Sequence, residues 1–246
     1  RKDLGLVDSV FTDADLAAMR GKVAIGHVRY GTAGAKSWES AQPHLSTIGT
    51  TIIALAHNGT LVNTDELRRE LIERNVFFRS NTDSEVAAQL VGYFTTQTHH
   101  LREGIRCAMR MIDGGYAIVL LRENALYAFR DPNGIRPLVL GLLGHDDYVV
   151  ASETCALDMV GAKYLRDIAP GEIVRISDDG LISEKGVKPR QQARCIFEDV
   201  YFSRPDSYVD GSSIYSMRYE MGRQLAREAP VAADMVFGVP DSGLPP

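Results

Sequence analysis

Thr51-Ile52-Ile53-Ala54-Leu55-Ala56-His57-Asn58-Gly59-Thr60 is the stretch on which the reading of this chain turns. Its β-branched residues and Leu55 make an apolar run of the kind seen in strands buried on both faces. Asn58-Gly59 adopts positive φ readily, so the strand is expected to stop there in a tight turn. A hairpin is the plain reading of an isolated Asn-Gly. Here, however, Leu61-Val62-Asn63 leads into a helix pattern and not into a partner strand. A side-chain amide beside a glycine N–H at a strand tip also offers two neutral donors, which is what a developing oxyanion needs.

Upstream, Lys22 to Tyr30 alternates as a strand, with Val23, Ile25 and Val28 as its apolar part and Arg29 at its C-terminal edge. Gly31-Thr32-Ala33-Gly34 follows as a loop of small residues. Thr12 caps a short helix that Gly21 stops. Downstream, Asn63-Thr64-Asp65-Glu66 and Thr82-Asp83-Ser84-Glu85 both read as capping boxes opening amphipathic helices. Asp83 then occupies a first helical turn, where the macrodipole favours a carboxylate by roughly 0.3–1 kcal/mol. That alone accounts for it; an ionised carboxylate held ready for a cation is the functional alternative.

A third helix pattern, from His99 to Ile112, gives way at Gly114-Gly115 to a meander of strands with turns at Arg122-Glu123-Asn124 and Asp131-Pro132-Asn133-Gly134. Further strands are expected over 137–141, 148–152 and 170–176, the last turned by Ser177-Asp178-Asp179-Gly180 into a final short strand, with a short helix from Thr154 to Val160. Helices gather in the first half and strands in the second, without a βαβ repeat, so the class expected is a layered α+β fold. Residues 184–195 are polar and patternless and read as a linker. Cys195 to Ser203 is expected to be extended, Ser212 to Arg227 helical, and Asp234 to Val239 the first strand of another domain.

The chain has 246 residues, 45% hydrophobic and 24% charged, which suits one large domain or one domain and the start of a second. A net charge of −5 gives no reason to expect nucleic acid or an anionic membrane as partner. No run approaches the ~20 apolar residues of a membrane-spanning helix. Three scattered cysteines without a CxxC spacing point to a reducing, cytoplasmic compartment. The chain starts without Met and stops just after an apolar run, so it is expected to be a fragment at both ends.

Arg29, Asn58-Gly59 and Asp83 all fall at the ends of elements, where binding groups are exposed. An Arg fork suits a carboxylate, a helix-start Asp an ammonium, and the amide with the glycine N–H an oxyanion. Together they describe an amino acid whose side chain is an amide, such as glutamine. A nucleophile is missing. Cys155, at a helix start, is a weak candidate, because buried structural Cys is commoner. The histidines lack the spacing of a zinc site.

Taken together, GHVRYGTAG (26–34), SAQPH (40–44), AHNGTLVN (56–63), SNTDSE (80–85), FRDPNGIRPL (129–138), ASET (151–154), APGE (169–172) and FEDVYFSRPDS (197–207) resemble the glutamine phosphoribosylpyrophosphate amidotransferase family of N-terminal-nucleophile (class II) amidotransferases. The resemblance implies a four-layer αββα sandwich over residues 1–190, with 191–246 as linker and start of a type I phosphoribosyltransferase α/β domain. It implies that Arg29 holds the glutamine α-carboxylate, Asp83 the α-ammonium, and Asn58 and Gly59 the oxyanion. Thr32 falls in the loop that closes over glutamine, and Gln42 and His44 match residues lining the pocket less strongly. The implied nucleophile is an N-terminal Cys upstream of Arg1. Mg²⁺ is implied in the phosphoribosyltransferase part beyond this chain, and a homotetramer is the family expectation. Cys195 aligns with a ligand of the [4Fe–4S] cluster found in one branch, a role matched evenly against a purely structural one. The activity implied is the first step of de novo purine synthesis, hydrolysing glutamine and transferring ammonia to phosphoribosylpyrophosphate to give phosphoribosylamine. Two rivals remain at this point: a class II amidotransferase of the sugar-isomerase type, and a binding module that keeps the pocket without the nucleophile.

Overall fold

The computed structural model describes residues 1–29, 37–240 and 243. In chain order the elements are α1 (Val7–Val10), α2 (Asp13–Ala18), β1 (His44–Ile48), β2 (Thr51–Leu61), α3 (Thr64–Glu73), α4 (Asp83–Thr98), α5 (Leu101–Met111), β3 (Gly114–Arg122) and β4 (Ala125–Arg130). These are followed by β5 (Val139–Leu143), β6 (Asp147–Ala151), α6 (Thr154–Val160), β7 (Lys163–Asp167), β8 (Glu172–Ser177), β9 (Gly180–Lys185), β10 (Tyr208–Val209), β11 (Ser212–Ser213) and α7 (Ile214–Glu228). Two compact units result, residues 1–134 with 169–191, and residues 135–168 with 192–246. Compactness therefore divides the chain differently from a single boundary at 190, since residues 135–168 group with the C-terminal segment.

The first unit is built on a six-stranded sheet of order β1-β2-β3-β4-β8-β9. Every pairing in it is antiparallel, so the α+β class holds. Alternation sorts its side chains. Ile53, Leu55 and Leu61 of β2, Ile118 and Leu120 of β3, and Tyr127 and Phe129 of β4 pack with Leu71, Val86, Leu90, Val91 and Ile105 of α3, α4 and α5 into one core. The helix α4 comes close to β1 because Gly92 has no side chain: a Cβ there would lie 2.1 Å from Ser46 Oγ.

Several local expectations are corrected. The strand β2 does not stop at Asn58-Gly59 but runs on to Leu61, with Asn58 opposite Ala117, Gly59 opposite Tyr116 and Thr60 opposite Gly115. Gly114 on β3 and Gly59 on β2 let the two strands stay close: a Cβ at Gly114 would lie 2.2 Å from Thr60 O, and one at Gly59, where φ is +146°, 2.1 Å from Gly115 O. Residues 21–29 form no helix or strand. Exposure still alternates, and the inward parity is Val23, Ile25, His27 and Arg29, leaving Val28 outward at 77% exposed. An alternating pattern encodes a face, but a strand also needs a neighbour to bond, and among the described residues none pairs with this segment.

Both capping boxes are incomplete. Asn63 makes no side-chain cap. Its amide instead donates to Met111 O (2.8 Å) and accepts from Asp113 N (3.1 Å), tying the start of α3 to the end of α5. Thr82 does cap α4, accepting from Glu85 N at 3.2 Å. The Glu85 carboxylate, however, accepts from Arg79 N (2.8 Å), Ser80 N (2.6 Å) and Ser80 Oγ (2.7 Å).

The second unit holds a three-stranded antiparallel sheet, β6-β5-β7, with α6 beside it, and a β10–β11 pair leading into α7. Its segment Glu198–Phe202 is a π-helical turn and not extended. Glu198 and Asp199 are consecutive and both buried, which a strand, alternating its faces, could not arrange. Arg136 pairs with Glu198 at 2.6 Å, Arg194 pairs with Asp199, and the buried Arg218 donates to Asp199 O (2.7 Å) and Ser203 O (2.8 Å). Residues 231–239 form no strand, and Val236 and Phe237 are exposed. Among the described residues, no helix is long and apolar enough to cross a membrane.

Candidate functional site

The site is organised by the edge of β2 that β1 leaves uncovered. The β1–β2 ladder runs from Ile48–Thr51 to His44–Leu55 and goes no further. Gln42 takes over with its side chain. Its Nε2 donates to His57 O (3.0 Å) and its Oε1 accepts from His57 N (2.6 Å), copying the exchange of a strand residue. Four residues on, Leu61 N donates to Asp83 Oδ2 at 3.1 Å. The N–H groups of His57 and Leu61 thus point away from β3. By the two-residue period of a strand, the Gly59 N–H lies on this same edge between them. Asn58 has the opposite parity, so its half-buried side chain stands on the sheet face turned away from α3–α5.

Asp83 is fixed from several sides. Oδ1 accepts from Ser84 N at 2.9 Å, Oδ2 takes the Leu61 N–H, and His57 Nδ1 lies 3.9 Å from Oδ2. Ser84 Oγ in turn shares a hydrogen bond of 3.1 Å with His57 Nδ1. The carboxylate keeps about a quarter of its surface exposed, at 26%, so it remains accessible to a ligand while the His57 ring behind it is buried.

His44 links the remaining groups. Its Nε2 lies 3.0 Å from Thr82 Oγ1, the residue that caps α4 immediately before Asp83. Burial holds its pKa down to about 4, against an ordinary value near 6.5; Lys2 and Arg29 push it the same way, while Glu85 and Asp83 oppose them. Arg29 and Asp83 therefore both act electrostatically on one buried imidazole. The stability consequence has a definite sign. His44 is neutral in the fold down to about pH 4, whereas in the unfolded chain it takes up a proton below about pH 6.5. Nothing is lost above pH 6.5, and stability falls as pH drops from there towards 4, by about 3 kcal/mol at most. Urea unfolding across that range should show the loss, and His44→Gln should flatten this part of it; an equal slope in the variant would remove His44 as its source.

Of the residues singled out from the sequence, the structure brings Asp83 against the 57–61 segment that carries Asn58 and Gly59. Arg29 is half-buried and within electrostatic reach of His44. Thr32 lies outside the described residues. Gln42 bonds the His57 backbone and His44 meets Thr82, so both brace the elements that carry the site. Sequence reasoning missed His57, which sits within an apolar run, and Ser84, whose hydroxyl had only a capping context. Cys155 is buried, and burial pushes its thiol pKa up, the wrong direction for a nucleophile. No group of three or more His, Cys, Asp or Glu among the described residues could hold a metal. Cys195 could supply only one of the four thiolates that such clusters take.

Known proteins resemble this chain over nearly its whole length. The glutamine amidotransferase domain family matches residues 27–159, more than half of the chain. Curated relatives include amidophosphoribosyltransferases of Synechococcus elongatus, 48% identical over 99% of this chain and 50% of its own length, and of Bacillus subtilis, 44% identical over 99% and 51%. The solved structure described as the allosteric regulatory enzyme of purine biosynthesis superposes with a TM-score of 0.90 at 43% identity, covering 98% of this chain and 51% of that one. The glutamine phosphoribosylpyrophosphate amidotransferase of B. subtilis, complexed with ADP and GMP, gives 0.89 at 43% identity, covering 98% and 52%. The chain spans about half the length of these relatives. With more than half of its residues matched, the chain belongs to the glutamine amidotransferase domain family.

Proposed function

We propose that this chain supplies the glutamine-hydrolysing part of an amidophosphoribosyltransferase. On this reading residues 1–190 form the glutaminase domain, and 191–246 lead into the phosphoribosyltransferase domain that the longer relatives would share. Asp83 receives the α-ammonium of glutamine and Arg29 its α-carboxylate. The Asn58 amide and the Gly59 N–H donate to the oxygen of the side-chain carbonyl as it gains charge. The nucleophile is a cysteine thiol from sequence before Arg1. It attacks the amide carbon, ammonia leaves, and water releases glutamate from the thioester. Ammonia then displaces pyrophosphate from C1 of phosphoribosylpyrophosphate, whose Mg²⁺ would be held beyond Pro246.

The observation that carries the reading is the uncovered edge of β2, where Gln42 closes one side and Asp83 the other of a position that presents the Gly59 N–H. Identities of 48% and 44% to amidophosphoribosyltransferases favour this reading over the sugar-isomerase type. The test uses the intact protein and two nitrogen donors. Arg29→Ala should raise KM for glutamine by roughly 30- to 1000-fold, the effect of removing one partner of a charge-assisted pair, while turnover with free ammonia stays near normal. Equal loss with both donors would show that Arg29 does not hold glutamine.

A further inference from the structure

Arg68 of α3 lies outside the set of residues given a role so far, yet it is joined to the segment that carries Asp83. Its Nη1 donates to Ser80 O at 2.9 Å and its Nη2 to Thr82 O at 3.2 Å, and its guanidinium lies 4.4 Å from the centre of the Phe78 ring. From the other side, Glu85 draws in the N–H groups of Arg79 and Ser80 and the Ser80 hydroxyl. The 78–82 loop is therefore clamped between a cation on α3 and a buried anion on α4. Ser80 Oγ reaches Thr82 Oγ1 at 2.9 Å, and Thr82 both caps α4 and meets His44. The next residue is Asp83.

We propose that Arg68 is a positioning residue for the amino-acid site, setting through Ser80 and Thr82 where the Asp83 carboxylate stands. This rests on the assignment of Asp83 to the ammonium of glutamine. Two features favour it over simple surface packing. Both guanidinium nitrogens donate to backbone carbonyls two residues apart, a forked contact that the single point charge of lysine cannot copy. Both carbonyls belong to the turn immediately before Asp83, so losing the clamp releases the turn that aims the carboxylate, while the core contacts of α3, through Leu67 and Leu71, stay in place.

The experiment measures glutamine-dependent and ammonia-dependent turnover of the full-length enzyme for Arg68→Ala, Arg68→Lys and Asp83→Asn, with melting temperature beside each. A displaced, still-present carboxylate should raise KM for glutamine by roughly tenfold in Arg68→Ala and by less in Arg68→Lys, with ammonia-dependent turnover within about twofold of normal. Should Arg68→Ala fail to fold, Arg68→Lys carries the test: a normal melting temperature with a raised KM supports the proposal. An unchanged KM for glutamine in the folded variants overturns it, as does parallel loss of both activities. Asp83→Asn separates this from the underlying reading. If it leaves KM unchanged, the glutamine assignment itself falls; if it raises KM and the Arg68 variants do not, only the role of Arg68 falls.

Discussion

Replacing Gly59 with alanine should lower the melting temperature by roughly 10 °C. A Cβ at this position would lie 2.1 Å from the carbonyl oxygen of Gly115 and 2.8 Å from His57 Nε2. The first is backbone on the neighbouring strand, held in a six-stranded sheet, and cannot swing aside as a side chain could. The second is a buried ring whose other nitrogen is tied to Ser84 Oγ at 3.1 Å. A φ of +146° adds strain for any L side chain. Overpacking of about 1–3 kcal/mol and backbone strain of about 1–3 kcal/mol are large against a total margin of about 5–15 kcal/mol. Gly49→Ala is the control. Its φ is +57° but nothing lies within 4 Å of the added atom, so it isolates the conformational part, about 1–2 kcal/mol. If both variants melt together, the close approach of β2 to β3 at Gly59 is not what sets the requirement for glycine.

The same residue shows what the sequence could and could not disclose. The β-branched run announced β2, and the alternation in β3 and β4 announced their hairpin, whose register places Arg122 opposite Ala125. Asn58-Gly59 looked like the end of a strand because the dipeptide tolerates positive φ. That the strand continues depends on Gly114, more than fifty residues away, where a Cβ would lie 2.2 Å from Thr60 O. Local propensity contains no such term. Glu85 was misplaced for a related reason: a capping box is defined by spacing, but the carboxylate found three donors in the preceding loop, a better set than the one N–H the box offers. Buried acids at 198 and 199 had aromatic neighbours that suggested a strand, and only the arginines at 136, 194 and 218 explain why the backbone winds instead. The alternation over residues 22–29 and the apolar run at 234–239 suggested strands that the structure does not form. A strand is a property of two segments, however, and one of them cannot specify it. Residues named for direct chemistry were legible because they sit in short motifs; Gln42 and His44 were marked by the resemblance as pocket residues, whereas Ser84 and Arg68 were legible only as contacts.

Asn58→Ala should lower kcat for glutamine hydrolysis by about 10²–10³ with little change in KM, since an oxyanion donor acts on charge that exists only in the transition state. The strand supports this division of labour. His57, with its backbone fastened to Gln42 and its ring to Ser84, precedes Asn58, and Gly59 follows in a conformation reserved for glycine. The amide therefore stands on a backbone held rigid on both sides, so little reorganisation is needed when charge appears. Because Asn58 faces away from the α3–α5 core and is only half-buried, its truncation should leave the melting temperature nearly unchanged, unlike Gly59→Ala. Asn58→Asp sharpens the test at nearly constant shape: a carboxylate facing the developing oxyanion should lower kcat at neutral pH further than alanine does, with ammonia-dependent turnover spared. A carboxylate that supports hydrolysis as well as the amide would remove Asn58 from the oxyanion site, and with it the reason for reading the uncovered edge of β2 as the place where the amide bond is broken.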